Sequence, residues 1–184
     1  MKFVFLGGQG SGKSTQAKLL ADYLNLPLVE MGQIFREKSQ DNDEEGQAIR
    51  DRLAAGELVP DNIAVSTLQK KISNADFKEG YILDGYPRNA AQLEGLEPDI
   101  DKVFFVKVSD EEAIKRLSLR ARADDSKEAL RRRLQIYHEQ TEPLLEKFNE
   151  EGKLITIEGE RTIEEIHNDI RERVTNYEKQ LDQK

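Results

Sequence analysis

Five short apolar runs break the chain at uneven intervals: Lys2–Leu6, Leu26–Glu30, Tyr81–Asp84, Lys102–Val108 and Leu154–Ile157. They are rich in Val, Ile, Phe and Leu and do not alternate with polar residues, which predicts strands buried on both faces of a parallel sheet. Between them the apolar positions recur at helical spacing. In Ser14–Leu24 they are Ala17, Leu20, Ala21 and Leu24, and in a long closing segment they are Ile163, Ile166, Ile170, Val174, Tyr177 and Leu181. Ser109–Glu112 and Thr162–Glu165 both have the spacing of a capping box, in which the glutamate reaches back to the cap. Strands that alternate with helices imply right-handed βαβ units. The expected fold is therefore α/β with three layers, a five-stranded parallel sheet carrying helices on both faces. Ligands of such sheets bind at the carboxyl ends of the strands.

Two segments break the alternation. Gly32–Lys71 carries helical patterns and no strand, so it reads as a helical insertion at one edge, and its charge run Asp41–Glu45 reads as a solvated loop. Arg120–Asp125 is a short link, basic and then acidic, between two helices. With no repeats, low-complexity tract or Pro/Gly-rich linker, residues 1–184 read as one domain bearing a small insertion.

Composition narrows the chemistry. The 28 Lys+Arg residues against 36 Asp+Glu give a net charge of −8, which argues against a nucleic-acid binder and against an anionic membrane surface. An anionic ligand must then be met by a local cluster of cations. The absence of cysteine excludes disulfides, thiolate metal sites and a cysteine nucleophile, and the two histidines, His138 and His167, offer no zinc-site spacing. No apolar stretch approaches the roughly 18–20 residues of a membrane span. Met1–Leu6 runs directly into a glycine-rich turn and reads as a buried strand, so a soluble, cytoplasmic protein is expected.

That turn, Gly7-Gly8-Gln9-Gly10-Ser11-Gly12-Lys13-Ser14, fits the pattern G-x-x-x-x-G-K-S/T between a strand and a helix. Glycines let successive backbone N–H groups converge on a phosphate, and the helix N-terminus adds partial positive charge. Lys13 is placed to reach the outer phosphates of a nucleoside triphosphate and the Ser14 hydroxyl to ligate Mg²⁺. Asp84, which ends the third run, stands where a carboxylate would hold the same Mg²⁺ directly or through water. The fold expected is thus of the P-loop NTPase type.

The rest of the chain separates a kinase from other P-loop proteins. No Asn-Lys dipeptide is present to begin a guanine-reading Asn-Lys-x-Asp motif. Arginines instead gather near the strand ends: Arg88 follows Asp84-Gly85-Tyr86-Pro87, Arg116, Arg120 and Arg122 close one helix, and Arg131-Arg132-Arg133 lie in the next. Taking Leu130, Leu134 and Tyr137 as the buried stripe, a rotation of about 100° per residue puts Arg133 on its flank and turns Arg131 and Arg132 outward. Arg116 and Arg120 lie at i, i+4, where their repulsion would become a clamp on a bound polyphosphate. Converging arginines suit phosphoryl transfer, which needs alignment and charge neutralisation more than a nucleophilic side chain.

In their order along the chain these residues resemble the adenylate kinase family. The resemblance is carried by the phosphate loop with Thr15-Gln16, by Gly56-Glu57-Leu58-Val59-Pro60, by Leu83-Asp84-Gly85-Tyr86-Pro87-Arg88 with Gln92, by Arg122-Ala123-Asp124-Asp125, and by Arg133-Leu134 with Tyr137-His138. It implies the reaction MgATP + AMP ⇌ 2 ADP. It further implies that Gly10, Ser11, Gly12, Lys13, Ser14 and Thr15 hold the ATP phosphates, with Arg116, Arg120 and Arg161 on the ATP side and the Gly159–Arg161 segment near the adenine. Arg36 and Arg88 would clamp the AMP phosphate, Arg122 and Arg133 would bridge the two nucleotides, and Gln92 would read the adenine edge. Met31, Gly32, Glu57, Leu58, Val59 and Gly85 would line the AMP pocket. The chemistry would rest on Lys13, Asp84, Arg88, Arg122 and Arg133, with Mg²⁺ at Ser14 and Asp84 and no zinc.

The same comparison places an AMP-binding insertion at residues 30–59 and reduces the lid to a vestige at 120–125. It also shows departures: Gln9 and Ser14 stand where the family usually has Pro and Gly, and Met31 and Gln33 where it has Thr and Asp, which removes a hydrogen bond to the monophosphate base. A UMP/CMP kinase is the alternative within the class; a P-loop ATPase switch and an inactive nucleotide sensor are alternatives outside it. The partners expected are ATP, AMP and ADP, with neither nucleic acid nor membrane, and either a monomer or a homo-oligomer.

Overall fold

The apolar runs form five strands, β1 (Lys2–Leu6), β2 (Leu28–Glu30), β3 (Tyr81–Asp84), β4 (Lys102–Lys107) and β5 (Leu154–Glu158). They pair in parallel throughout, in the order β2-β3-β1-β4-β5. The computed structural model describes residues 1–119 and 126–183; the expected vestigial lid at 120–125, with Arg120 and Arg122, lies outside the described residues. Strand β2 begins two residues later than its apolar run, because the Leu26 N–H turns back to the Ala21 carbonyl at the end of the preceding helix (3.0 Å).

Helices α1 (Lys13–Leu24), α2 (Met31–Lys38), α3 (Glu44–Ala55), α4 (Asp61–Ile72), α5 (Asp110–Ser118), α6 (Lys127–Ile136), α7 (Leu144–Glu150) and α8 (Ile163–Leu181) fill the intervals. Side chains of β1 alternate between two cores, as strand geometry requires. Phe3 and Phe5 pack with Ala17 and Leu20 of α1 and Ile166, Ile170 and Val174 of α8, whereas Val4 and Leu6 pack with Leu68 of α4 and Phe148 of α7. These four β1 residues are at most 1% exposed, and each such side chain contributes roughly 1.5–3 kcal/mol. Met31, Phe35, Ile49 and Val59 of the 30–59 segment belong to the second of these cores, so the insertion is anchored in the body of the protein.

Four local expectations change. Ile163 and Leu181, at the two ends of α8, are 60% and 44% exposed, because the helix meets the sheet only through its middle turns. Thr162–Glu165 forms the reciprocal capping box, but at Ser109 only the hydroxyl half forms. Glu112 turns instead to Arg116 one turn on (2.8 Å), and the Ser109 N–H goes to Glu160 Oε1 (2.8 Å). The acidic run Asp41–Glu45 is exposed as expected but is only half loop: Asp43 caps α3 by accepting from the Gly46 N–H, and Glu44 and Glu45 form its first turn, where carboxylates suit the helix dipole. In α6 the deeply buried positions are Ala129, Leu134 and Ile136, with Leu130 only partly buried. A π-helical turn, Tyr137–Thr141, then rotates the chain before α7. No helix among the described residues is long and apolar enough to cross a membrane.

Candidate active site

The loop between β1 and α1 lies at the carboxyl end of the central strand, with β3 on one side and β4 on the other. This is the switch point at which doubly wound sheets bind ligands. Gly10 has a φ of 82°, and a Cβ there would meet the Ala113 carbonyl of α5 at 2.6 Å, so only glycine allows the loop to lie against that helix. Gly12, at φ 88°, is the N-cap of α1 and supplies no side-chain cap; the Lys13 N–H donates to Ser11 Oγ (3.4 Å), and the helix N-terminus behind it suits an anion. Lys13 is 6% exposed and its Nζ donates to the Gly8 carbonyl across the loop (3.2 Å). The Ser14 hydroxyl donates to Asp84 Oδ2 at 2.5 Å. Asp84 is 5% exposed, and its Oδ1 is buried with no hydrogen-bond partner among the described residues. A hydroxyl beside an unsatisfied carboxylate oxygen is a donor set for a hard cation.

Arginines face this loop from other elements. Arg88, just past the cis Tyr86–Pro87 bond, is fixed by its Nε donating to the Gly85 carbonyl (2.8 Å), while its own carbonyl accepts from the Thr141 hydroxyl (2.6 Å). Burial pushes its guanidinium below the ordinary arginine value, Asp84 opposes that shift, and Arg133 and Arg36 reinforce it. Three guanidiniums whose fields overlap form an anion site that costs electrostatic energy until it is filled. Arg36 is steadied by Gln33 Oε1 (3.1 Å from Nη2), so the departure at Gln33 serves the arginine. Arg133 reaches from α6 to the Leu53 carbonyl of α3 (3.0 Å). Arg116 binds Glu112, the Gly159 carbonyl (2.9 Å) and, more distantly, the Ser11 carbonyl (3.4 Å).

One cleft of about 560 Å³ gathers nearly all of these groups. Its lining includes Gly10, Ser11, Gly12, Lys13, Ser14, Thr15, Arg116 and Arg161, from the segments that follow β1, β4 and β5, and Gly32, Arg36, Glu57, Leu58, Val59, Gly85, Arg88 and Gln92, from those that follow β2 and β3, with Arg133 of α6 and with Asp84 at the end of β3. Met31 is not among them, since its side chain is 1% exposed inside the core. Arg132, set outward by the helix phase, bonds Gln135 instead (3.1 Å). The apolar wall of Phe35, Leu53 and Ala64 has no signal in the sequence and is brought to the cleft by packing alone. Gln16, part of the phosphate-loop motif with Thr15 but without an assigned role in it, is 1% exposed and donates to the Ile163 carbonyl (3.0 Å).

A family model described as adenylate kinase matches residues 5–153. The chain belongs to the adenylate kinase family. It is 35% identical over 177 residues to adenylate kinase 1 of Nostoc sp., a match covering 92% of this chain and 96% of that protein. With the adenylate kinase of Parvibaculum lavamentivorans the identity is 39% over 184 residues, covering 92% and 90%. Adenylate kinase 1 of Synechocystis sp. is 39% identical over 170 residues, covering 89% and 91%. The family match spans the phosphate loop, the insertion and the arginine-bearing helix α6, so the cleft falls almost wholly inside it; only the wall contributed by α8 and Arg161 lies beyond.

Proposed function

We infer that this adenylate kinase transfers the terminal phosphoryl group of ATP to AMP, giving two ADP, with the phosphate loop as the donor end of the cleft and the Arg36–Arg88–Arg133 group as the acceptor end. The observation that carries the assignment of ends is that Arg36 and Arg133 lie near enough to act electrostatically on Arg88, and that all three line the same cleft as Lys13, Ser14 and Asp84. In this reading the N–H groups of Gly10–Thr15 and the Lys13 ammonium take the β- and γ-phosphates, and Arg116 and Arg161 flank the donor nucleotide. Arg36 and Arg88 hold the AMP phosphate, with Glu57–Val59, Gly32 and Gly85 around its nucleoside. Arg133 spans the two phosphates, joined in the family pattern by Arg122 and, on the donor side, by Arg120. An AMP phosphate oxygen is already anionic near neutrality and needs no general base. Alignment and charge neutralisation supply the rate, and a planar guanidinium fork suits two phosphates held in line.

Mg²⁺ fits at Ser14 and Asp84, where the unsatisfied Oδ1 offers an oxygen ligand, directly or through water. When bound with ATP it would neutralise charge on the β- and γ-phosphate oxygens as the γ-phosphorus parts from its bridging oxygen. A cytoplasmic setting suits these substrates. The test is a coupled assay for ADP with MgATP and a panel of nucleoside monophosphates, with and without a chelator. AMP should support turnover well above CMP and UMP, and chelation should abolish it. CMP or UMP equal to AMP in kcat/KM would transfer the assignment to a UMP/CMP kinase.

A further inference from the structure

The Gln92 side chain is 2% exposed, and both ends of its amide are held. The backbone N–H of Arg88 donates to Oε1 (2.8 Å), and Nε2 donates to Oδ1 of Asp61, the first residue of α4 (2.9 Å). An amide can ordinarily turn over by 180° and exchange its donor for its acceptor. Here a backbone N–H can only donate and an ionised carboxylate can only accept, so the two anchors admit one orientation. Asn89 Nδ2 donates to the same Oδ1 (2.8 Å), and Asn89 Oδ1 accepts the Gln92 N–H (3.0 Å), which ties Asp61 to the turn that carries Gln92. Asp61 does not itself line the cleft, whereas Gln92 does.

We propose that Asp61 is a specificity-determining positioning residue: by locking the Gln92 amide it fixes which hydrogen-bonding pattern the acceptor base must show. With one donor and one acceptor position committed, one Nε2–H and one Oε1 lone pair remain for the cleft. A 6-aminopurine presents an acceptor at N1 beside a donor at its amino group; a 6-oxopurine presents a donor at N1 beside an acceptor at O6. A locked amide complements one order and opposes the other, while an amide free to turn accepts both. This inference rests on the reading above in which Gln92 faces the base of the monophosphate.

The experiment compares AMP with IMP, which differ at this edge alone, as acceptors for the wild type and for Asp61→Asn, Asn89→Ala and Gln92→Ala. The ratio of their kcat/KM values is taken within one protein sample, so partly unfolded material cancels; Asp61→Ser replaces Asp61→Asn if the latter fails to fold. Asp61→Asn, which adds a donor for the turned amide and leaves only the Arg88 N–H opposing it, should lower the AMP/IMP ratio severalfold, mainly through KM, with kcat for AMP changed little. Asn89→Ala, which leaves the Asp61–Gln92 bond in place, should keep the wild-type ratio. A wild-type ratio in Asp61→Asn beside a collapsed ratio in Gln92→Ala overturns the role of Asp61 alone. An unchanged ratio in Gln92→Ala overturns the reading of Gln92 as the base partner. An equal fall in Asn89→Ala and Asp61→Asn would assign the effect to general packing of the turn and likewise overturn the proposal.

Discussion

Lys13 is nearly enclosed, yet its neighbours are the polar edges of the phosphate loop rather than either core. Its removal should therefore be felt in catalysis. Lys13→Met is expected to lower turnover by about a thousandfold while shifting stability by no more than about 1 kcal/mol, read by steady-state kinetics beside thermal melting. Arg133 and Arg132 are adjacent in sequence but face different surroundings, the cleft and Gln135. Arg133→Lys should cut kcat by about a hundredfold, because an ammonium cannot bridge two phosphates as a fork does, whereas Arg132→Lys should be nearly silent. Equal effects from the two would contradict the helix phase that separates them. The phosphate loop, Asp84, Arg88 and Arg133 were legible in the sequence from a contiguous motif, a strand end or a computable helix face, whereas Arg36 came only through the family resemblance. The partners of Gln16 and Asp61 were not legible, since they lie 147 and 31 residues away.

At the scale of elements, sequence spacing located the strands and helices but not every use of their ends. The Ser109 box failed because Glu112 has a stronger partner in Arg116 at i+4, a charged pair competing with a neutral N–H. The π-helical turn after α6 had no signal in the apolar pattern. It sets Tyr137 against Gly8 of the phosphate loop and leaves His138 outside, between two carboxylates. His138 Nδ1 lies 2.8 Å from Glu142 Oε2, and its Nε2 lies 3.0 Å from Asp110 Oδ1 at the start of α5. The hydrogen bond to Glu142 raises the imidazole above its ordinary value of 6.5; burial, next in size, opposes it, and the hydrogen bond to Asp110 adds to the rise. A pKa raised in the folded state gives a contribution that is complete below 6.5 and fades as pH rises through the raised value. His138→Gln should therefore lower the melting temperature by about a degree or two at pH 6, with the difference shrinking towards pH 9. A difference that is constant or grows with pH would contradict this tie between α5 and the π-helical turn.

Across the whole molecule, five parallel strands could be read from their apolar runs, although the edge strand β5 leaves Thr156 and Glu158 exposed; the order β2-β3-β1-β4-β5 could not. Strand order is decided by which helices cover which face, and buried parallel strands look alike in sequence. The anchoring of the insertion in the main core was equally hidden, since Met31 and Ile49 look like any helix positions until α2 and α3 are packed. What the assembled molecule achieves is a chain of net charge −8 that concentrates Lys13, Arg36, Arg88, Arg116 and Arg133 in one cleft, selecting for polyphosphates locally while the exterior stays acidic. The central claim is that this cleft passes a phosphoryl group from ATP directly to AMP. It is tested most directly by following ATP labelled in its γ-phosphate, with AMP and Mg²⁺ present, and separating the products. The label should appear in the β-phosphate of ADP formed from AMP, in step with unlabelled ADP formed from ATP. Label released as inorganic phosphate, with AMP left unchanged, would contradict it.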